Sequence, residues 1–281
     1  MAEKGGYMFA HQVIEDINKK YNTKNIKFIT DEIKKSQKFH FGNSRELDKT
    51  FIPKTTQYVF SESKEYLKFP YDTCWFDYIV EFNNTETYDK TIQSYKRGFL
   101  IFQDRESVNI IAFLAGTGTD WNISDVVQRI EFKNTENANV KVIKLFETNN
   151  GYTDADDTEN LAMDLSLVER SIRLYNCKNI QTEKISAPIK LNKKRLKSGR
   201  QEIFDYHVLN LVLPSNKKRG YQEQTTPLSH NRIHLCRGHF KEYTKEHPLF
   251  GKYTGLYWWE PSVRGQNKDG IVMKDYNIKT K

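Results

Sequence analysis

The stretch Gly98–Gly116 reads GFLIFQDRESVNIIAFLAG, with two dense apolar runs separated by a short polar segment. Apolar runs of this length, bounded by turn-forming residues, are typical of buried strands. Arg105 and Glu106 lie between the runs and indicate the turn of a β-hairpin. Just upstream, the segment CWFDYIVEF at 74–82 is rich in aromatic and β-branched residues and predicts a further strand. We therefore expect buried strands to form the centre of the fold.

Helical patterns lie on either side of these strands in the sequence. Residues 8–21 carry apolar positions at the spacing of an amphipathic helix, and so do residues 159–175. A short helix is expected over 31–38, with Thr30 as its cap. Strands mixed with segregated helices indicate the α+β class. The prediction is a mixed, mainly antiparallel sheet with an N-terminal helix and one long central helix.

Weaker patterns complete the sequence-based outline. Residues 40–56 are expected to form a loop, Ser124–Arg129 a short helical turn, and the basic segment 193–201 a turn. Further strands are expected at 140–147, 179–191, 203–214, 233–243 and 255–261. The 281 residues fit a single domain, 1–281, with sub-lobes 1–150 and 151–281 as an alternative.

Composition narrows the environment of the protein. No apolar run approaches the roughly 20 residues that a membrane span needs, and the N-terminus has no apolar core of signal-peptide length. The three cysteines, Cys74, Cys177 and Cys236, are odd in number and scattered, which favours reduced thiols over a disulfide framework. We expect a cytoplasmic protein without a membrane partner.

Positive charge is concentrated in the last third of the chain. Residues 1–189 hold 25 Lys and Arg against 28 Asp and Glu, a net of −3. Residues 190–281 hold 19 against 8, a net of +11. A polarised basic segment is typical of proteins that bind phosphate groups or another acidic surface. A solvated basic face without a specific partner is the alternative that charge alone leaves open.

The segment HNRIHLCRGHFKEY at 230–243 contains three of the seven histidines. Histidine is the natural acid and base of metal-free RNA cleavage, because its pKa lies near neutrality. We expect His234 and His239 to be catalytic, with Arg237 steadying the phosphate, and we expect no cofactor and no metal. A zinc site at His230, His234, Cys236 and His239 stays open, although structural zinc sites usually pair two ligand clusters and only one is present.

Basic and aromatic residues supply the predicted nucleic-acid contacts. Lysines and arginines would follow a phosphate backbone, and aromatic rings would stack on unpaired bases, which favours RNA or single-stranded DNA over duplex. The predicted contacts are Lys193, Lys194, Arg195, Lys197, Arg200, Lys217, Lys218, Arg219, Arg232, Tyr243, Tyr257, Trp258 and Arg264. In the alternative interpretation, the aromatic residues pack in the core or in a lid.

Two stretches together resemble an uncharacterised protein family of tailed bacteriophages and prophages. FPYDTCWFDYIVEF (69–82) is similar to a segment in the first half of that family, and SHNRIHLCRGHFKEY (229–243) with FGKYTGLYWWEPSVRG (250–265) is similar to its C-terminal "HxRRGHxR…G…WVxP" segment. Cys236 and Lys241 stand where arginines are common, and an insertion through Pro248 lengthens the loop. The resemblance implies a phage or mobile-element origin and expression in the bacterial host cytoplasm, and it implies no activity.

These observations favour a phage-encoded nucleic-acid-binding protein, with metal-independent ribonuclease activity as the enzymatic version of the hypothesis. The alternative, from another class, is a phage protein that binds and inhibits a host or anti-phage defence protein through its basic C-terminal surface.

Overall fold

The computed structural model describes residues 8–43, 69–81, 94–103, 107–116, 118–132, 138–144, 154–212, 232–236, 238–259, 262–264 and 266–271. The chain forms two compact units. Unit 1 consists of Met1–Asn176 and Gln181–Asn210, and unit 2 of Cys177–Ile180 and Leu211–Lys281. These units do not coincide with the sub-lobes 1–150 and 151–281.

The described part of the chain holds four helices and thirteen strands. In chain order these are α1 (Ala10–Lys20), α2 (Lys24–Lys35), β1 (Gln37–Asn43), β2 (Thr73–Glu81), β3 (Ser94–Gln103), β4 (Ser107–Ala115), β5 (Asn122–Phe132), β6 (Ala138–Lys144), α3 (Asp154–Asn176), β7 (Ile180–Ile185), α4 (Ile189–Lys197), β8 (Tyr206–Leu211), β9 (Arg232–Cys236), β10 (His239–Tyr243), β11 (Gly255–Trp259), β12 (Ser262–Arg264) and β13 (Gln266–Ile271).

An eight-stranded sheet organises unit 1, with the strand order β6-β5-β4-β3-β2-β1-β8-β7. Strands β2 to β6 form successive antiparallel pairs, and the predicted hairpin of β3 and β4 is among them. Strand β1 instead pairs in parallel with both β2 and β8. The predicted α+β class, the mixed and mainly antiparallel sheet and the N-terminal helix are confirmed.

Helices α1 and α2 cover one face of this sheet. Val13, Ile14 and Ile17 of α1 are buried there with isoleucines of α2, against a layer that includes Trp75. Each fully buried aliphatic side chain stabilises the fold by about 1.5–3 kcal/mol relative to leaving it exposed. Trp75 lies so close to Gly98 on the neighbouring strand that a Cβ there would meet the indole ring at 2.5 Å. Gly98 is therefore required by packing.

Helix α3 covers the other face. Its 23 residues include the predicted helix 159–175, and Leu165, Val168 and Ile172 are buried against Phe76 and Phe99 of the sheet. Two polar contacts cross the same layer. Tyr78 is hydrogen bonded to Ser171, and the guanidinium of Arg97 lies 3.5 Å from the carboxylate of Asp164. Burial raises the pKa of Asp164 to about 6, against the opposing charge of Arg97.

Several local predictions in unit 1 were wrong. The short helix begins at Lys24 rather than Asp31, and the hydroxyl of Thr23, not Thr30, accepts from the Ile26 amide at its start. Residues 37–43 form β1 instead of a helix end and loop. The expected helical turn at Ser124–Arg129 is part of β5, where Val127 and Ile130 are buried on opposite faces of the sheet, as a strand requires.

The first part of the segment expected to be a basic turn, 193–197, belongs to α4, a helix of nine residues, and the turn itself follows at 198–199. Pro188 precedes its first residue, a position that suits proline because no helical hydrogen bond is lost there. The strand predicted over 179–191 therefore ends earlier, at Ile185, and β8 covers only the middle of the strand predicted over 203–214.

The described part of unit 2 contains two small sheets. The strand predicted over 233–243 is divided into β9, which pairs with β12 and β13, and β10, which forms an antiparallel hairpin with β11. The side chain of Asn179 pairs with the β11 backbone, since its amide donates to the Trp258 carbonyl at 2.7 Å and its oxygen accepts from the Trp258 amide at 3.0 Å. Gly255 has a φ of 108°, a conformation that side chains disfavour, at the start of β11.

Candidate functional site

Four lysines form a stripe along the exposed side of α4. They lie at positions i, i+3, i+4 and i+7 of the helix, which places them within about 100° of its circumference and along about 10 Å of its axis. All four are exposed, and within the described residues none of them has an ion-pair partner. The members of this lysine stripe are Lys190, Lys193, Lys194 and Lys197.

The opposite side of α4 is fixed to unit 1 by polar contacts. Arg195 is buried, and it donates to the Gln201 carbonyl at 2.6 Å and to the Glu15 carboxylate at 2.8 Å. The side chain of Asn192 bonds both the amide and the carbonyl of Ile203, each at 2.8 Å. Arg195 and Asn192 each lie about 150° around the helix from the centre of the lysine stripe. The anchor therefore directs the stripe away from the rest of unit 1.

Glu15 determines which positive charges remain unneutralised. Its carboxylate also accepts from Arg200 at 3.3 Å and from the Gln201 amide at 2.8 Å. Burial raises the pKa of Glu15, but these hydrogen bonds and the two guanidinium charges lower it more, so the pKa lies below its ordinary value. Glu15 is thus ionised at neutral pH and offsets Arg195 and Arg200, while the lysines of the stripe have no ion-pair partner within the described residues.

An apolar flank borders the lysine stripe. Ile189 is 72% exposed and Leu196 is 58% exposed, and the two are seven residues apart on the same side of α4. Neighbouring exposed aliphatic side chains form a small apolar patch on the surface of the helix. The outer surface of α4 therefore combines positive charge with a small apolar edge.

A second polar group lies on the face of the sheet that α1 and α2 cover. His40 of β1 stands directly opposite Asp77 of β2, and the two side chains meet at 2.5 Å, from Nδ1 to Oδ1. Asp77 is fully buried, and its other oxygen accepts from the Phe9 amide at 2.8 Å and from the Trp75 indole at 3.1 Å. In the neutral imidazole, a carboxylate acceptor at this distance favours the proton on Nδ1, which leaves the lone pair on Nε2.

Aromatic rings surround the His40 imidazole. Phe9 and Tyr206 each approach it edge-on, with ring centroids 6.0 Å away. The ammonium of Lys96 lies 5.1 Å from the Phe9 ring, so a cation shares this neighbourhood. Burial lowers the pKa of His40, the hydrogen bond and charge of Asp77 raise it, and the net pKa lies above its ordinary value.

Sequence reasoning missed His40, Asp77 and Glu15. One signal was present for Asp77, because CWFDYIV carries a single charged residue inside an otherwise apolar strand, and a buried charge requires partners. Nothing in the sequence identified the distant partners, His40 of β1 and the backbone amide of Phe9 at the start of α1.

The predicted catalytic residues lie in or next to the small strands of unit 2. His234 is on β9, where it pairs with Arg264 of β12, and His239 begins β10, opposite Trp259. His239 is exposed. Arg237 lies outside the described residues, as do the side chains of Arg232, His234 and Arg264. The catalytic roles of His234, His239 and Arg237 therefore stay predictions.

The predicted aromatic contacts are mainly packing residues. Tyr257 is 5% exposed and Trp258 is 8% exposed, so neither presents a free ring face to a base. Trp258 packs against Phe240 at a centroid distance of 4.7 Å. Tyr243 is half-buried and meets Tyr257 edge-on. The alternative interpretation of these aromatics as packing residues fits their burial.

The predicted basic contacts separate into three groups. Lys193, Lys194 and Lys197 belong to the lysine stripe, while Arg195 and Arg200 pair with Glu15. Lys217, Lys218 and Arg219 lie outside the described residues.

Among the residues whose side chains the structure describes, no group of three or more histidine, cysteine or carboxylate side chains is arranged to hold a metal ion. The predicted zinc site includes His230, which lies outside the described residues, so this alternative stays a prediction.

No known family, curated protein or solved structure matches the chain. None of the helices in the described regions has both the length and the apolar character needed to cross a membrane.

Proposed function

We propose that this chain binds nucleic acid through the lysine stripe of α4. The observation that carries the proposal is the arrangement of four exposed, unneutralised lysines on one side of a helix whose opposite side is fixed by buried polar contacts. Lysines that neutralise phosphates release condensed counterions, and this release drives binding without reading base sequence. The expected interaction is therefore with the phosphate backbone and is independent of sequence.

Single-stranded RNA is the first ligand to test, with single-stranded DNA second. The burial of Tyr257 and Trp258 removes base stacking on those two rings from the proposal. A single strand is favoured because its flexible backbone can adjust to the lysine stripe, which is only about 10 Å long. Few phosphates can be contacted at once, so we expect weak binding that is strongest at low salt.

A direct test is fluorescence anisotropy at low salt with a labelled 20-nucleotide RNA, the matching DNA strand and their duplex. The variant Lys193→Gln/Lys197→Gln removes two members of the stripe, and we expect it to weaken binding roughly tenfold. The matched control is Lys24→Gln/Lys27→Gln, which removes two exposed lysines from α2. Absence of binding by the wild-type chain, or equal loss in the two variants, would refute the proposal.

A protein partner is the second candidate, and the apolar flank favours it. Ile189 and Leu196 would fit an apolar groove with an acidic rim, which the lysine stripe would complement. The phage resemblance makes a host or anti-phage defence protein the expected partner class. Ile189→Ser/Leu196→Ser separates the two candidates, because it should leave nucleic-acid affinity unchanged and abolish binding to such a partner.

A further inference from the structure

In the pair of His40 and Asp77, the carboxylate is held in place by hydrogen bonds and the imidazole is partly exposed. Asp77 cannot rotate freely, because three donors from β1, β2 and the start of α1 bind its two oxygens. The His40 side chain keeps 15% of its surface exposed. Within the described part of the chain, Nε2 has no hydrogen-bond partner. The buried carboxylate thus fixes the ring orientation and tautomer, while the basic nitrogen stays accessible.

Other described histidines of unit 1 lack this combination. His207 lies on the opposite face of the sheet, where it stacks on Phe39 and contacts the Lys38 carbonyl at 3.2 Å. His11 is almost fully buried, and burial lowers its pKa to about 4. Neither side chain has both a carboxylate on one nitrogen and an open second nitrogen.

We propose that His40 is the general base of a metal-independent ribonuclease site, with Asp77 as its positioning residue. The inference rests on the proposed binding of RNA. His40 Nε2 removes the proton of a ribose 2′-hydroxyl, and the freed oxygen forms a bond to the adjacent phosphorus. The bond from phosphorus to the 5′ oxygen breaks, that oxygen takes a proton from water, and His40 returns its proton to the hydroxide that remains. The products are a 2′,3′-cyclic phosphate and a 5′-hydroxyl.

Lys96 supplies a positive charge on the same face of the sheet. It stands on β3, and its ammonium and the His40 imidazole contact the same Phe9 ring. A cation beside the reacting phosphate stabilises the negative charge that develops on its oxygens. Lys96 is therefore the phosphate-binding residue of the proposed site, and the roles predicted from sequence for His234 and His239 stay untested.

The test uses the full chain in EDTA with two substrates. A labelled 20-nucleotide RNA reports cleavage and binding, and the dinucleotide uridylyl-adenosine is too small to require α4. The variants are His40→Asn and, as a matched control on the same sheet, His207→Asn, each prepared in parallel with the wild type and checked by thermal melting. General acid–base groups contribute about 10²- to 10⁴-fold, so we expect at least a hundredfold loss in His40→Asn and less than twofold in His207→Asn.

Three further readouts separate catalysis from a structural role. The wild-type rate should rise with pH, with a midpoint above 6.5 because the His40 pKa is raised. The product should carry a cyclic phosphate, and a 2′-deoxy substitution at the cleaved position should stop the reaction. Asp77→Asn should change the pH profile, because it reverses the preferred tautomer of His40.

Each failure has a distinct meaning. RNA binding without cleavage of either substrate, or cleavage that survives His40→Asn, overturns the His40 assignment and leaves the binding proposal intact. Loss of RNA binding with His40-dependent cleavage of the dinucleotide overturns the binding role of α4 alone. If His40→Asn fails to fold, Asp77→Asn decides the outcome, because an unchanged pH profile in that variant overturns the His40 assignment.

Discussion

Glu15 of α1 and Arg195 of α4 form an ion pair at 2.8 Å although they are 180 residues apart in the chain. The same carboxylate accepts from Arg200 and from the Gln201 backbone. One partly buried acidic group thereby anchors the helix that carries the lysine stripe and offsets the charges of Arg195 and Arg200. The proposed binding surface depends on this distant contact.

Replacement of Glu15 should uncouple α4 from unit 1. We expect Glu15→Ala to lower the free energy of unfolding by about 2–4 kcal/mol, because it leaves the buried Arg195 guanidinium without its partner. Chemical denaturation measures the loss. Glu32→Ala is the control, because the ion-pair partner of Glu32 within the described residues is Lys35 of the same helix. Its loss should cost under about 0.5 kcal/mol beyond helix propensity. Equal effects of the two variants would show that Glu15 has no anchoring role.

Packing of Trp75 on Gly98 gives a sharp stability test. A methyl group at Gly98 would meet the indole ring at 2.5 Å, and the ring is held in place by its bond to Asp77. We expect Gly98→Ala to destabilise the protein by about 1–3 kcal/mol, as overpacked core substitutions do. Gly116→Ala is the control, because the added carbon meets only the Thr119 side chain, at 3.3 Å. Similar melting temperatures for wild type and Gly98→Ala would contradict the packing described.

Sequence patterns identified the helices and strands that bury mainly hydrophobic side chains. The hairpin of β3 and β4, strand β2 and helix α1 all present dense or periodic hydrophobic residues, and these are the elements that form the core. β5 was mistaken for a helical turn because Ser124 and Asp125 are typical of a helix start, and local capping preferences gave no information about pairing with β4 and β6.

Helix α4 shows why the candidate site was only partly predictable. Its inward side carries Arg195 and Asn192, while Ile189 and Leu196 are exposed, which reverses the pattern by which an amphipathic helix is recognised. The lysines were identified as phosphate contacts from charge alone, but their alignment on one side follows from the helix. The contact of His40 with Asp77 was not predictable, because it depends on the parallel pairing of β1 with β2.

Burial of His11 should make stability depend on pH. Its pKa is about 4 in the folded protein and near 6.5 when unfolded, so between these values only the unfolded chain binds the proton. Stability is therefore lost as pH falls from about 6.5 to about 4, by up to about 3 kcal/mol for this group. Denaturation at several pH values, compared between wild type and His11→Leu, isolates the effect. An identical pH dependence in both proteins would contradict the burial of a neutral His11.

The pair of Arg97 and Asp164 should show strong coupling. Both side chains are largely buried between the sheet and α3, and each single replacement leaves one polar group without its partner. We expect Arg97→Met and Asp164→Leu each to cost about 3–5 kcal/mol, and the double variant to cost much less than their sum. A double-mutant cycle measures the coupling. Additive losses would show that the two side chains do not interact.

The most direct measurement is the salt dependence of RNA binding. For single strands, the slope of log Kobs against log salt concentration is about −0.7 for each phosphate contacted. Lys193→Gln/Lys197→Gln should therefore reduce the slope by about 1.4, while Lys24→Gln/Lys27→Gln leaves it unchanged. Slopes that are the same for wild type and both variants would contradict binding of the phosphate backbone by α4.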